Sequence, residues 1–200
     1  MSPPVVLASA SPRRRELLAS LGVAFLVEPA NVEEIPAAHE TVESYVRRLA
    51  ADKAVAVSLR HAHSLVLGAD TEVELDGTIL GKPRDANHAV ALLRQLSGRT
   101  HRVCTGVCVA RRGEVLEAFA VQSLVTFQHL SDAEIRAYVA SGEPLDKAGA
   151  YGAQGRGRDL IARIEGSLTN VIGLPLAEVA ACLRRYGVLG DIRFPPVLER

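Results

Sequence analysis

The sequence predicts an α/β fold built on a mixed sheet. Three observations lead there. Short apolar runs, Val5–Ala8 and Leu65–Gly68, are bounded by small and turn-forming residues, as buried strands are. Segments with apolar residues at helical spacing lie between such runs and begin at good N-cap residues. Two long stretches, Arg102–Arg111 and Val115–Phe127, read as strands joined at Gly113.

The elements follow in order. After the strand Val5–Ala8, Ser11-Pro12 starts a helix, because Ser is a good N-cap and Pro suits the first helical position. That helix turns Leu17, Leu18 and Leu21 inward and stops at Gly22. A strand is expected at Phe25–Val27, then a loop holding Glu33 and Glu34. Thr41 caps a longer helix, Val42–Ser58. After the buried strand Leu65–Gly68, Asp76-Gly77 marks a hairpin between Thr71–Leu75 and Thr78–Leu80. Asp85 caps a helix that ends before Gly98, and Ser131-Asp132-Ala133-Glu134 is a capping box opening another. A glycine-rich stretch, Gly149 to Gly157, precedes a strand at Leu160–Ile164. Pro175 opens the last helix, which ends at Gly187. Residues 1–190 form one domain on this reading, with a loosely held tail at 191–200.

Composition narrows the function. The 200 residues are 48% apolar, ordinary for a globular chain, and contain no Trp. Lys and Arg number 23, as do Asp and Glu, so the basic excess typical of long-nucleic-acid binding is missing. No segment reaches the ~20 apolar residues that span a bilayer. No charged leader with an apolar run and cleavage site opens the chain, so a cytoplasmic location is expected. Cys104, Cys108 and Cys182 lack metal-site spacing and are expected to be buried, reduced thiols.

Four stretches stand out chemically. Arg13, Arg14 and Arg15 occupy a helix's first turn, where the backbone dipole disfavours cations. A bound anion would remove the conflict, since free N–H groups and guanidinium forks suit phosphate; a solvated basic turn is the plainer alternative. Lys53 lies on the apolar stripe of Val42, Tyr45, Val46, Leu49 and Val57, so it must snorkel out or reach a partner. Gly68-Ala69-Asp70-Thr71 is expected to deliver Asp70 at a strand's C-terminal end, where open α/β sheets place ligands, with small residues letting a ligand approach the backbone. Lys82 follows a hairpin that turns back towards that end. Finally, Asp146-Lys147-Ala148-Gly149-Ala150-Tyr151-Gly152-Ala153-Gln154-Gly155 is dense in glycine without matching a Walker A or GxGxxG pattern. His101 reads as either structural or close to a cleft. Asn170–Pro175 reads as a turn without chemistry.

Together these stretches resemble the Maf family of septum-formation-associated nucleotide pyrophosphatases. The matching pieces are Leu7–Arg14, Gly68–Thr71, Gly81-Lys82-Pro83, Leu96–His101, Asp146–Gly155 and Gly173-Leu174-Pro175, in family order and across nearly the whole chain. The resemblance implies an elongated, two-lobed mixed-sheet fold with a central cleft, similar to inosine triphosphate pyrophosphatases. It also implies hydrolysis between the α and β phosphates of a nucleoside triphosphate with a divalent metal cation, Mg²⁺ or Mn²⁺. Asp70 would be the proton acceptor for water, Lys53 and Lys82 would stabilise charge, and Ser9, Arg13 and Arg14 would contact phosphate. Glu34, with Glu33 beside it, matches the family's acidic position in the second loop. Arg13, Thr71 and Gln154 match the dTTP/UTP pyrophosphatase group as specificity positions, whereas Ala153 departs from a bulkier aliphatic residue. The direct metal ligands are not legible. House-cleaning of non-standard nucleotides and a symmetric homodimer are further expectations. The rival reading is a non-hydrolytic nucleotide-binding regulator of cell division; it would predict loss of Asp70 or the lysines, and all are present.

Overall fold

The computed structural model describes residues 4–190. The expected tail at 191–200 lies outside the described residues. The strands are β1 (Val5–Leu7), β2 (Phe25–Val27), β3 (Val66–Leu75), β4 (Thr78–Ile79), β5 (Thr100–Arg111), β6 (Glu114–Phe127) and β7 (Ile161–Glu165). They form one sheet in the order β2-β1-β3-β5-β6-β7, with β4 paired to β3. β2, β1 and β3 are parallel, and the remaining pairs are antiparallel, so the sheet is mixed as expected. The helices are α1 (Pro12–Ala19), α2 (Val42–Ser58), α3 (Ala86–Leu96), α4 (Asp132–Ala140), α5 (Leu168–Ile172) and α6 (Leu176–Arg185). No helix among the described residues is long and apolar enough to cross a membrane.

Local chemistry sets the helix starts. Ser11, Thr41 and Asp85 each accept a hydrogen bond from the backbone N–H three residues on, and Ser131 with Glu134 forms the full capping box. Position along the strands then divides the core, because Leu67, Ala69, Val73 and Leu75 share one face of β3. Leu67 and Ala69 of β3 join Val107 and Val109 of β5, Leu18 of α1 and Leu183 of α6 in one apolar cluster. Val73 and Leu75 of the same β3 join Val103, Phe127, Leu93 of α3 and Ile135 of α4 in another. These two clusters are the cores of two lobes strung on the same strands.

Three expectations need correction. The segment read as two strands around Asp70 is one continuous strand, so Asp70 lies in the middle of β3. Gly68, expected as the last residue of the first of them, is extended and pairs with Cys108 without interruption. The smallness of Gly68 serves a helix and not a ligand. A Cβ there would stand 2.2 Å from the Ala50 carbonyl oxygen of α2, and one at Gly106 would stand 2.2 Å from that of Val46. The two glycines form a hole that lets α2 lie directly on the sheet. The turn expected at Asn170–Pro175 instead contains most of α5, held by the fully buried Asn170, whose amide donates to the Val103 carbonyl and Ser123 Oγ at 3.1 and 3.0 Å.

Candidate active site

A cleft of about 320 Å³ opens along the edge of β3 between the lobes. Sheet topology creates it. β1 pairs with β3 only as far as Leu67, and β4 joins the same side only from Glu74. Between those points the strand edge is uncovered, and Asp70, Thr71, Glu72 and Val73 line the opening. Asp70 therefore does sit beyond the end of the parallel β1–β3 pairing, which is why a ligand can reach it from mid-strand.

Gly68 and Gly106 bring α2 close enough for Lys53 to meet Asp70, the residue paired with Gly106 in the ladder. Lys53 is buried, and its Nζ lies 2.6 Å from Asp70 Oδ1 and 2.5 Å from Glu34 Oε1. It reaches partners, which decides between the two readings of its place on the stripe. Glu34 continues the series, its Oε2 lying 3.3 Å from the exposed Lys82 Nζ. Burial works to raise the Glu34 carboxyl, but the hydrogen bond and charge of Lys53, with Lys82 behind it, hold it below the ordinary carboxylate value. Charges thus alternate along Asp70, Lys53, Glu34 and Lys82. Asp70 Oδ2 is buried and makes no hydrogen bond.

The arginines divide their work. Arg14 turns back from α1 across the lobe. Its Nε donates to the Gly173 carbonyl at 2.9 Å, Nη1 to the Ala69 carbonyl at 2.8 Å and Ser9 Oγ at 3.3 Å, and Nη2 to Thr71 Oγ1 at 3.0 Å. Only one of its five N–H donors is left uncommitted. Burial pulls its pKa down, with Asp70 opposing. Arg14 therefore pins α1, β3 and the α5–α6 junction together. Thr71 is drawn into the same network through Thr105 Oγ1, 2.9 Å away, which donates to the Asn170 carbonyl. Ser9 is buried, and its Oγ also accepts from the Ser11 N–H at 3.2 Å. Arg13 points into the cleft and meets Asp146 of the other lobe at 3.4 Å. Gln154 is exposed on the opposite wall, with Ala153 buried beside it.

Glu72 was missed in the sequence. Its Oε2 is buried without a partner, and burial together with the Asp70 charge pushes its carboxyl up to about 8. Asp70-Thr71-Glu72 has the two-residue period that puts both acids on one face, but the segment was divided into separate strands at that point. His101 is settled as structural: it is buried, hydrogen-bonds Tyr151 Oη at 2.7 Å, and is held down to about 4 by burial. The three cysteines are buried, and their thiols are pushed up to about 12, which leaves them inert.

The cleft wall carries Arg13, Arg14, Lys53, Lys82 and Lys147 against Glu34, Asp70, Glu72 and Asp146. Five cations face four carboxylates, one of which, Glu72, is pushed towards its neutral form by burial and the Asp70 charge, so the balance favours an anion inside a protein of zero net charge.

Comparison with known proteins agrees. The family model described as Maf-like protein matches residues 4–186. A dTTP/UTP pyrophosphatase from Myxococcus xanthus is 55% identical over 184 residues, covering 92% of this chain and 93% of that protein. Proteins of the same name from Anaeromyxobacter dehalogenans (strain 2CP-1) and Geobacter sp. (strain M21) are 52% and 50% identical, each over 94% of this chain and 96% and 97% of their own lengths. A solved HAM1 protein from Coxiella burnetii superposes with a TM-score of 0.49 at 15% identity, covering 90% of this chain and 98% of that one, a distant likeness that adds nothing to the assignment. Near-complete coverage by the family model, and relatives matched end to end at half identity, place this chain in the family of Maf-like proteins.

Proposed function

We propose that the protein hydrolyses dTTP and UTP to the monophosphate and pyrophosphate, as a cytoplasmic enzyme that also clears non-standard nucleotides. One observation carries the chemistry: a buried carboxylate in an anion-favouring cleft has one oxygen held by Lys53 and the other unpartnered. Lys53 fixes the orientation of Asp70 through Oδ1, so Oδ2 is the atom that accepts a proton from water. Arg13 and Lys82 bind the phosphates, and with Lys53 they oppose the charge that grows on the leaving pyrophosphate. Gln154 meets the base from the opposite wall. The names of the relatives support the pyrimidine reading.

A divalent cation fits this site. Among the described residues no group of three or more His, Cys, Asp or Glu could hold a metal unaided. The unpartnered buried Oε2 of Glu72, two residues from Asp70 along β3, is nonetheless suited to a hard cation that also takes phosphate oxygens, the usual pattern for Mg²⁺. Glu72 would hold it in its ionised form together with the triphosphate, leaving Asp70 Oδ2 free for water, and when bound the cation would neutralise the triphosphate and acidify water.

The deciding experiment is pyrophosphate release from dTTP, UTP, CTP, GTP and 7-methyl-GTP, with and without Mg²⁺, for wild type and Gln154→Ala. The expected result is preference for dTTP and UTP, flattened about tenfold in the variant, the worth of one lost hydrogen bond to a base edge. Preference for 7-methyl-GTP would overturn the base assignment. Binding without pyrophosphate release would favour the regulator reading instead.

A further inference from the structure

Gln154 stands where the chain enters a short 3-10 helix, Gly155–Leu160, in a segment, Gly152–Gly157, that no strand or α-helix holds. One side chain takes over that task. The Glu143 carboxylate accepts the Gly157 N–H at 3.1 Å and the Tyr138 hydroxyl at 3.0 Å through Oε1, and the Arg156 N–H at 3.1 Å through Oε2. Tyr138 Oη accepts the Gly152 N–H at 3.2 Å, so the segment is fastened at both ends. Tyr138 is itself buried in the α3–α4 core and cannot drift.

Contact distances show how closely the segment is drawn onto this clamp. A Cβ at Gly157 would stand 2.3 Å from the Gly152 carbonyl oxygen and 2.6 Å from Tyr138 Oη, and one at Gly155 would stand 2.9 Å from Glu143 Oε2. Gly155 also has a φ of +65°, which turns the chain back beneath Gln154. Bonds from N–H groups to a carboxylate are stronger than neutral ones, and they order the segment before any ligand arrives.

We propose that Glu143, through Tyr138 and the N–H groups of Gly152, Arg156 and Gly157, is a positioning residue that sets base selectivity by aiming Gln154. Glu143 does not line the cleft. The inference rests on the reading that Gln154 meets the base. It implies a division of labour: Asp70, Lys53 and Glu34 lie on the other side of the cleft and do not depend on the clamp. Loosening it therefore affects which nucleotide is chosen more than how fast the anhydride is cut.

The test compares Glu143→Ala, Glu143→Gln and Tyr138→Phe with wild type, using kcat and KM for dTTP, UTP, CTP and GTP and amide hydrogen exchange across 152–157. Glu143→Ala should lower the dTTP/GTP ratio of kcat/KM about tenfold, raise KM for dTTP, and leave kcat within about threefold. Exchange at Arg156 and Gly157 should quicken together with that loss. Glu143→Gln keeps one of the two acceptor oxygens and should recover part of the selectivity. Tyr138→Phe keeps the ring in the core and removes only the hydroxyl, so faster exchange at Gly152 should appear even if Glu143→Ala folds poorly. A uniform drop in activity on every nucleotide, with the ratio unchanged, would overturn the positioning role. If Gln154→Ala flattens the preference while Glu143→Ala loosens the segment without changing it, the clamp fails alone. If neither variant changes it, the base-site reading fails first.

Discussion

Replacing Gly106 by Ala tests whether the contact of α2 with the sheet builds the site. The new Cβ would lie 2.2 Å from the Val46 carbonyl oxygen, 2.3 Å from its carbon and 2.6 Å from the Arg47 nitrogen, all backbone atoms that cannot rotate away. Ordinary contact begins near 3.4 Å, so α2 has to retreat by about 1.2 Å. Overpacking of this kind costs about 1–3 kcal/mol. For a chain of this size that corresponds to a fall in Tm of roughly 2–12 °C. The same retreat draws Lys53 from its 2.6 Å contact with Asp70 to beyond hydrogen-bonding distance. Activity should therefore drop at least about tenfold even at temperatures where the variant is fully folded, because a misplacement of this size is costly to catalysis. The assay is thermal unfolding followed by pyrophosphate release from dTTP well below the variant's Tm. Gly190→Ala is the control, since nothing lies within 4 Å of a Cβ there. A Gly106→Ala protein with unchanged Tm and unchanged turnover would refute the argument.

Asp70→Asn should cut kcat by on the order of 10²–10⁴-fold, the range for losing a general base, while far-ultraviolet circular dichroism stays native. Arg14→Ala should destabilise far more than Arg13→Ala in urea titrations, because it strands the Ala69 and Gly173 carbonyls whereas Arg13 gives up one partly exposed ion pair. Asp146→Asn should lower KM for dTTP by up to about fivefold, since Arg13 would no longer leave an ion pair to meet phosphate; a higher KM would count against that role. The Glu72 carboxyl, raised to about 8 in the folded chain, binds its proton more tightly there than in the unfolded chain. Its contribution is therefore present below the ordinary value of 4.5 and is lost as pH rises from there through 8. The cation-free wild type should lose stability over that window relative to Glu72→Gln, and urea midpoints from pH 4.5 to 9 read the difference.

Much of the fold was legible because its signals are local. Thr41, Asp85 and Ser131 cap the helices expected of them, and Asp76-Gly77 turns the hairpin with both residues at positive φ. What was misread depends on partners distant in sequence. Gly68 reads as room for a ligand until α2 is laid over it, and the buried Asn170 that anchors α5 reaches Val103 and Ser123. The sequence names the residue types that the cleft brings together, and less of how they divide their contacts. Arg13 and Arg14 are indistinguishable as neighbours, and both line the cleft, yet Arg13 meets Asp146 there while Arg14 is spent on protein oxygens. Glu143 left no pattern, since its backbone partners lie 13 and 14 residues away.

The two lobes share backbone. β3, β5 and β6 each run from one core into the other, and the β3–β5 ladder continues unbroken from Val66 to Glu74, past the cleft itself. Hinged enzymes close when a few linker residues change their dihedral angles, but here any closure has to be shared as twist along hydrogen-bonded strands. A ladder resists such bending, so the jaw has a short stroke. A nucleotide meets a cleft already near its working shape, and discrimination depends on fit at entry more than on a large closing motion. A cut in any one surface loop would leave the halves joined by their common strands, with neither free to fold or move as a domain of its own.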